Sequence, residues 1–181
     1  MDADDISHPY RLITQLGVSL PNHAVIGTDI IRFQSDESLN WPNENLSKAV
    51  AHKVDPRSLL KRNKIAHPST IIRLDAYREV GGYSSRSRKV EDYDLWLRLA
   101  RVGEIRNIDK HLLGYRTHSA QHSRHGNAFS DFKLLHESRL SLVRHNQIPQ
   151  WHAHFGTYSY FYTHAMLSLR SRLRSSTESK S

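Results

Sequence analysis

A chain of 181 residues with 38% hydrophobic and 24% charged side chains has the composition of one soluble domain, large enough to bury a core without staples. The absence of cysteine excludes disulfides, thiol catalysis and cysteine-ligated zinc, and no apolar run approaches the ~18 residues that a membrane-crossing helix needs. Net charge is +8, of which residues 170–181 supply +3 through Arg170, Arg172, Arg174 and Lys180 against Glu178, so the body is only mildly basic and suits a phosphorylated ligand or an anionic surface as well as nucleic acid.

The acidic start, Met1-Asp2-Ala3-Asp4-Asp5, is the reverse of a cationic signal peptide, which places the expected location in the cytoplasm. Ser7 is positioned to cap a helix with Pro9 in its first turn, running through Leu16 and stopped by Gly17 or Pro21-Asn22. Ala24 to Phe33 is rich in β-branched residues and predicts a strand broken at Gly27. Gln34 to Asn45 reads as a loop around Trp41, followed by two short helical pieces split at Asp55-Pro56 and ending near Lys64. Ser69 to Arg73 predicts a strand, and Asp75 to Val80 a helical turn closed by Gly81-Gly82.

From Glu91 the periodicity is helical. Tyr93, Trp96, Leu97 and Ala100 share a stripe that Leu95 and Leu99 widen, and Gly103 ends the helix. Two short strands follow at Glu104–Ile108 and Leu112–Arg116, then a polar stretch from Thr117 to Asn127 and a helix from about Phe129 to His145. The last thirty residues alternate aromatic and polar groups before turning basic. The order is mixed α and β, with too few strands for a complete parallel nucleotide-binding sheet.

Four groups of residues are able to carry chemistry. Asp2-Ala3-Asp4 is a D-x-D, which a turn aims at one hard divalent cation or leaves as a solvated acidic terminus. Asp92-Tyr93-Asp94 repeats the spacing. Glu91 and Asp92 open an apolar helix, where acidic residues complement the macrodipole and where a carboxylate is also held rigidly enough to take a proton. His118, His122 and His125 have the three- and four-residue spacing of a helical metal set, or of histidines gathered in a polar loop. The basic, aromatic C-terminus is suited to core packing, to an anionic membrane surface or to stacking on bases.

Taken in order, Asp2-Ala3-Asp4-Asp5, Val25-Ile26-Gly27-Thr28, His67-Pro68-Ser69-Thr70, Gly81-Gly82-Tyr83, Glu91-Asp92-Tyr93-Asp94-Leu95-Trp96 and Tyr115-Arg116-Thr117-His118 strongly resemble the second half of a family 2 glycosyltransferase, over residues 1 to about 123. The resemblance implies an α/β, GT-A-like mixed sheet flanked by helices, with residues 124–181 as a helical extension ending in a basic tail. It also implies sugar transfer from a nucleotide-diphosphate donor to an acceptor hydroxyl with inversion, in cell-surface polysaccharide or glycolipid synthesis. Asp2 and Asp5 with Arg116 would face the donor. Asp4, with His118, would hold Mn²⁺ or Mg²⁺. Asp92 would be the general base and Glu91 its orienting neighbour, while His67, Ser69 and Gly82 would line the acceptor floor. A helix N-terminus lowers an aspartate's pKa, so proton transfer is expected to accompany bond formation.

The family's first half, which holds the nucleotide base, normally precedes the D-x-D. Here the D-x-D begins at residue 2, which makes the expected domain partial: a fragment, a misplaced start or a remnant. The expected partners are a nucleotide-sugar donor and a glycan or glycolipid acceptor, with a peripheral contact at the inner face of a membrane and no nucleic acid. The alternative is a non-catalytic glycosyltransferase domain that binds a glycan or a partner protein.

Overall fold

The computed structural model describes residues 3–87, 89–118 and 128–178. The elements run β1 (Ile6–Ser7), α1 (Arg11–Gly17), β2 (His23–Phe33), β3 (Ala51–Lys53), α2 (Pro56–Lys61), β4 (Ile71–Ile72), α3 (Leu74–Glu79), α4 (Glu91–Leu99), β5 (Glu104–Arg116), α5 (Ala128–His145) and α6 (Trp151–Glu178). Among the described residues five strands form one sheet in the order β1-β5-β2-β4, with β3 also pairing to β5. β2 and β5 run parallel, whereas β1 and β3 on β5 and β4 on β2 are antiparallel. This is the mixed α/β, GT-A-like sheet flanked by helices that the resemblance implies.

β5 joins the two strands expected at Glu104–Ile108 and Leu112–Arg116 into one. The expected break survives as an irregularity in register: Thr28 faces Ile108, but Asp29 faces His111 and Ile30 faces Leu113. Asp109 and Lys110 therefore bulge out of the β2 ladder. Asp109 turns outward to Val50, accepting from its N–H at 3.0 Å.

Several local expectations shift for identifiable reasons. Ser7 belongs to β1, opposite Leu113, so it does not cap α1; its hydroxyl accepts instead from Arg11 Nε at 2.8 Å. The first of the two helical pieces is a 3₁₀ turn, Leu46–Lys48, followed by the strand β3. The second is α2, with Asp55 capping Arg57 N at 3.0 Å and Pro56 in its first turn. The strand expected over Ser69–Arg73 shortens to β4, because Ser69 closes a 3₁₀ turn over His67–Ser69.

The core lies between the sheet and the C-terminal helices, with α4 at its centre. Tyr93, Leu95, Trp96, Leu97 and Leu99 are all at most 1% exposed. They pack with Ala24, Val25 and Ile105 of the sheet and with Leu134, Leu135, Leu142 and Val143 of α5. Full burial of one such side chain is worth ~1.5–3 kcal/mol relative to exposure, so α4 is among the most firmly seated elements of the fold. Ile148, between α5 and α6, and Ala153 at the start of α6 contribute to this same core.

One buried cation ties these helices together. Arg139 of α5 is fully buried and donates to Leu60 O at 2.8 Å, Tyr93 Oη at 3.0 Å and Thr157 Oγ1 at 3.3 Å. Its guanidinium also lies 5.0 Å from the Tyr93 ring centroid and 5.5 Å from that of Tyr160. Tyr93 Oη in turn donates a hydrogen bond to Leu59 O at 2.6 Å. α6 reaches this point only because residue 156 is glycine: a Cβ there would sit 2.1 Å from Leu60 O.

Candidate functional site

Two groups of sequence-expected residues assemble, one around Asp4 and Arg116 and the other around Asp92. The first is the acidic N-terminal segment, docked on the end of β5 by Arg116. Arg116 donates from its backbone N to Asp5 Oδ1 at 3.2 Å and from Nε to Asp4 O at 3.0 Å. Its remaining guanidinium nitrogens reach Gln34 O at 3.3 Å and the Asp36 carboxylate, and the group lies 4.4 Å over the Phe33 ring. His118 Nε2 stands 2.6 Å from Asp4 Oδ2. The Asp4 carboxyl is held below the ordinary carboxylate range, chiefly by that hydrogen bond and then by its own backbone N–H, with the charges of His118 and Arg116 assisting.

Asp4 and His118 thus supply one carboxylate oxygen and one imidazole nitrogen. Among the described residues no three such side chains gather as a metal set. The pair fits Mn²⁺ or Mg²⁺ in the manner of a nucleotide site, where one or two protein ligands are completed by phosphate oxygens and water. The nitrogen donor favours manganese of the two. Asp2, His122 and His125 lie outside the described residues.

The second group surrounds Asp92, in the first turn of α4. Its Oδ1 accepts from Tyr93 N at 2.7 Å and its Oδ2 from Asn63 Nδ2 at 3.0 Å. Asn63 is itself fixed, since its Oδ1 accepts from Ile65 N at 3.1 Å. His67 Nε2 is 2.6 Å from Tyr83 Oη, and the His67 ring centroid is 5.9 Å from that of Trp96. Gly82, with φ of +67°, makes the turn that sets Tyr83 in place, and the Tyr77 hydroxyl occupies the space a Cβ would need, at 2.8 Å.

The protonation of Asp92 differs from expectation. Burial raises its pKa above the usual carboxylate value, and the neighbouring Glu91 charge adds to the rise. The Tyr93 N–H, the His67 charge and the Asn63 amide oppose it and lose. The helix-terminus argument fails here because desolvation by the surrounding core outweighs the dipole. The result is a carboxylate more basic than an exposed aspartate. Tyr83 also shifts upward, through burial first and then the proximity of Tyr77, Asp92 and Glu91.

Ser69 anchors the turn that carries His67. It is fully buried, and its hydroxyl exchanges hydrogen bonds with Thr28 N and Thr28 O, both at 3.0 Å, and reaches Ala66 O at 2.8 Å. Its carbonyl accepts from Gln15 Nε2 at 2.9 Å and Arg11 Nη1 at 3.2 Å. Ser69 therefore fixes the turn to β2 and α1 from below, while the exposed His67 is presented above it. Asp94 of the second D-x-D is fully buried and occupied by Arg98, at 2.7 Å and 2.9 Å, and by the Ser138 hydroxyl. It is a packing residue.

Asn63 was not singled out in the sequence. It sits in the basic run Lys61-Arg62-Asn63-Lys64, which reads as a solvated surface, and only the tertiary contact with Asp92 reveals its place. Arg139 was missed for the same reason.

A search against protein-family models finds no match to the chain. It is similar to the O-antigen biosynthesis glycosyltransferase WbnJ of Escherichia coli, 34% identical over 128 residues, which cover 66% of this chain and 46% of that protein. It is also similar to the glycosyltransferase EpsE of Bacillus subtilis (strain 168), 33% identical over 107 residues, or 56% of this chain and 36% of that protein. The chain thus spans less than half the length of these curated relatives, and what it shares with them is glycosyltransferase sequence.

Proposed function

We propose that this chain is the acceptor-facing half of an inverting, family 2 glycosyltransferase, moving a sugar from a nucleotide diphosphate to an acceptor hydroxyl in the synthesis of a surface polysaccharide or glycolipid. The observation that carries the reading is Asp92. It is a partly buried carboxylate of raised pKa, held at both oxygens by Tyr93 N and Asn63, in a wall that also presents His67 and Tyr83. Similarity to two glycosyltransferases supports the reaction class.

In this reading Asp92 accepts the acceptor hydroxyl's proton as that oxygen forms its bond to the anomeric carbon. The bond from that carbon to the diphosphate breaks on the opposite face, which inverts the centre. The raised pKa lets the carboxylate take up the proton more fully during bond formation. Asn63 and Tyr93 N keep one rotamer, so the accepting oxygen does not turn away. His67 and Tyr83 would contact the acceptor beside it. In the other group Asp4 and His118 would hold Mn²⁺ or Mg²⁺, which would supply charge neutralisation at the leaving diphosphate. Arg116 organises that group by pinning Asp4 and Asp5 to β5.

A peripheral contact with the inner face of a membrane belongs to the same proposal. No described helix is long and apolar enough to cross a membrane. Trp151, Phe155, Tyr158 and Tyr162 are each more than half exposed, and their helical spacing aligns them on one face of α6, ahead of the basic tail.

The test is diphosphate release from a panel of nucleotide sugars, with glycan acceptors, by the chain and its Asp92→Asn variant. Turnover lost by ~10²-fold or more in the variant, with donor affinity unchanged, is expected. Full turnover in Asp92→Asn would sink the assignment of the base. Acceptor binding without any turnover by the unaltered chain would instead favour the non-catalytic domain.

A further inference from the structure

Behind Asp92 a cleft of about 970 Å³ opens between α2 and α6. Arg57, Lys61, Arg62 and Lys64 line it on the α2 side, and Ser159, Tyr160 and Thr163 on the α6 side. Asp55 also borders the cleft and caps α2 by accepting from Arg57 N, so four cations face a single carboxylate there. The four cationic groups are exposed, and none forms an ion pair among the described residues. Other surface cations of this protein do find carboxylates: Lys53 pairs with Glu104, Arg73 with Asp75 and Arg86 with Glu137. Four unpaired cations facing one cleft create a positive potential that raises the local concentration of anions.

The cleft adjoins the candidate site through Asn63. Its inner wall includes Asn63, whose amide is 3.0 Å from Asp92 Oδ2, and Tyr160, whose pKa is pushed up to about 12 by burial, Tyr93 and, in part, Asp92. A molecule resting on Asn63 from the cleft side therefore lies one side chain away from the base.

We propose that this cleft binds an anionic group carried by the acceptor, of phosphate or carboxylate type, and so selects acceptors that bear negative charge near the reacting hydroxyl. The inference rests on the reading of Asp92 as the base. Arg57 and Arg62 offer planar forks to such oxygens, whereas Lys61 and Lys64 act as point charges. Ser159 and Thr163 border the same space and are able to contact the sugar rings beside the anion, Thr163 as an acceptor because its own hydroxyl is donated to Ser159 O at 2.8 Å. A phosphate belonging to a lipid carrier and a carboxylate belonging to an acidic sugar present the same chemistry to this wall.

Calorimetric titration of the full chain separates the possibilities. Chelator is present throughout, so that no metal-held diphosphate contributes. The anionic probes are inorganic pyrophosphate and a hyaluronan tetrasaccharide carrying glucuronate, with neutral chitotetraose and a single-stranded oligonucleotide as comparisons. One or both anionic probes are expected to bind roughly tenfold or more tighter than the neutral sugar, with an affinity that falls as salt rises. Preference for pyrophosphate identifies a phosphate-bearing acceptor, and preference for hyaluronan an acidic glycan. The Lys61→Gln/Arg62→Gln variant is expected to lose the preference, and Lys61→Arg/Arg62→Lys to keep most of it. Arg57→Gln/Lys64→Gln provides a second pair on the same wall should the first fail to fold. Equal binding of the neutral sugar, or a preference that survives both glutamine pairs, overturns the proposal, as does tighter binding of a single-stranded oligonucleotide than of either anionic probe. Asp92→Asn is expected to keep the preference while losing turnover. Absence of the preference in the unaltered chain, with turnover still lost in Asp92→Asn, overturns the anion site alone, whereas a preference retained beside full turnover in Asp92→Asn removes the base and leaves the site.

Discussion

Asn63 donates its amide to Asp92 Oδ2 at 3.0 Å, joining the loop after α2 to the first turn of α4 across 29 positions of sequence. The contact stabilises the ionised carboxylate, yet burial outweighs it and the pKa of Asp92 lies above the ordinary value. These opposed effects make the base tunable from its neighbour.

The pH profile of transfer follows. A base works only when ionised, so the rate is expected to fall as pH drops through the raised pKa of Asp92, at a higher pH than an exposed aspartate would give. Asn63→Ala removes a bond to the ionised form and is expected to move this acidic limb upward. Profiles of kcat/KM for the two proteins check it, and coincident limbs would separate Asn63 from the function of Asp92.

The same shift has a consequence for stability. A folded-state pKa above the unfolded one means that the folded chain holds the proton more readily. Stability therefore declines as pH rises from the ordinary carboxylate value through the raised one. Asp92→Asn, which cannot ionise, is expected to raise the thermal midpoint near neutrality, with a gain that shrinks as pH falls toward the ordinary carboxylate range. Scanning calorimetry across that range decides it, and a lowered midpoint at neutrality would contradict the direction assigned to Asp92.

Arg139 is expected to be among the most costly positions to truncate. Arg139→Ala leaves a cavity beneath three helices and removes a donor from Leu60 O, Tyr93 Oη and Thr157 Oγ1. A loss of about 2–5 kcal/mol in urea unfolding is expected. Arg139→Met, which fills most of the space without the hydrogen bonds, is expected to cost less. Near-neutral behaviour of the alanine variant would mean that the guanidinium is not what holds α2, α4 and α6 together.

Manganese is expected to tighten binding of a nucleoside diphosphate by about tenfold or more, and chelator to reverse it. Asp4→Asn and His118→Ala should each remove most of that gain. An affinity indifferent to metal and chelator would count against the Asp4 and His118 seat.

Much of this architecture was legible in the sequence, and the exceptions have physical causes. α4 begins at Glu91, as its periodicity predicts, because the stripe through Tyr93, Trp96 and Leu97 is deeply buried. The β-branched run ending at Phe33 is β2. β3 was invisible, since three residues at a sheet edge carry no alternation to read. Arg139 and Asn63 occur in polar surroundings in the sequence, and their burial or pairing comes from helices distant in the chain. The proximity of His67, Tyr83 and Asp92 was foreshadowed only by the ordered motif blocks. The upward shift of Asp92 was not readable at all, because the helix terminus is local and the desolvation that overrides it is tertiary.

The glycine at 156 also decides where this protein can be shortened. The carbonyl of Leu60 leaves no room for a side chain there, so α6 is seated on α2 directly, backbone against backbone. Ending the chain at Gln150 would strip Thr157 from Arg139 and open one wall of the Asp92 neighbourhood to water. Engineered versions therefore have to retain α6 through Thr163, whereas its outer aromatic rim, from Trp151 to Tyr162, is the surface to recolour when solubility is the aim.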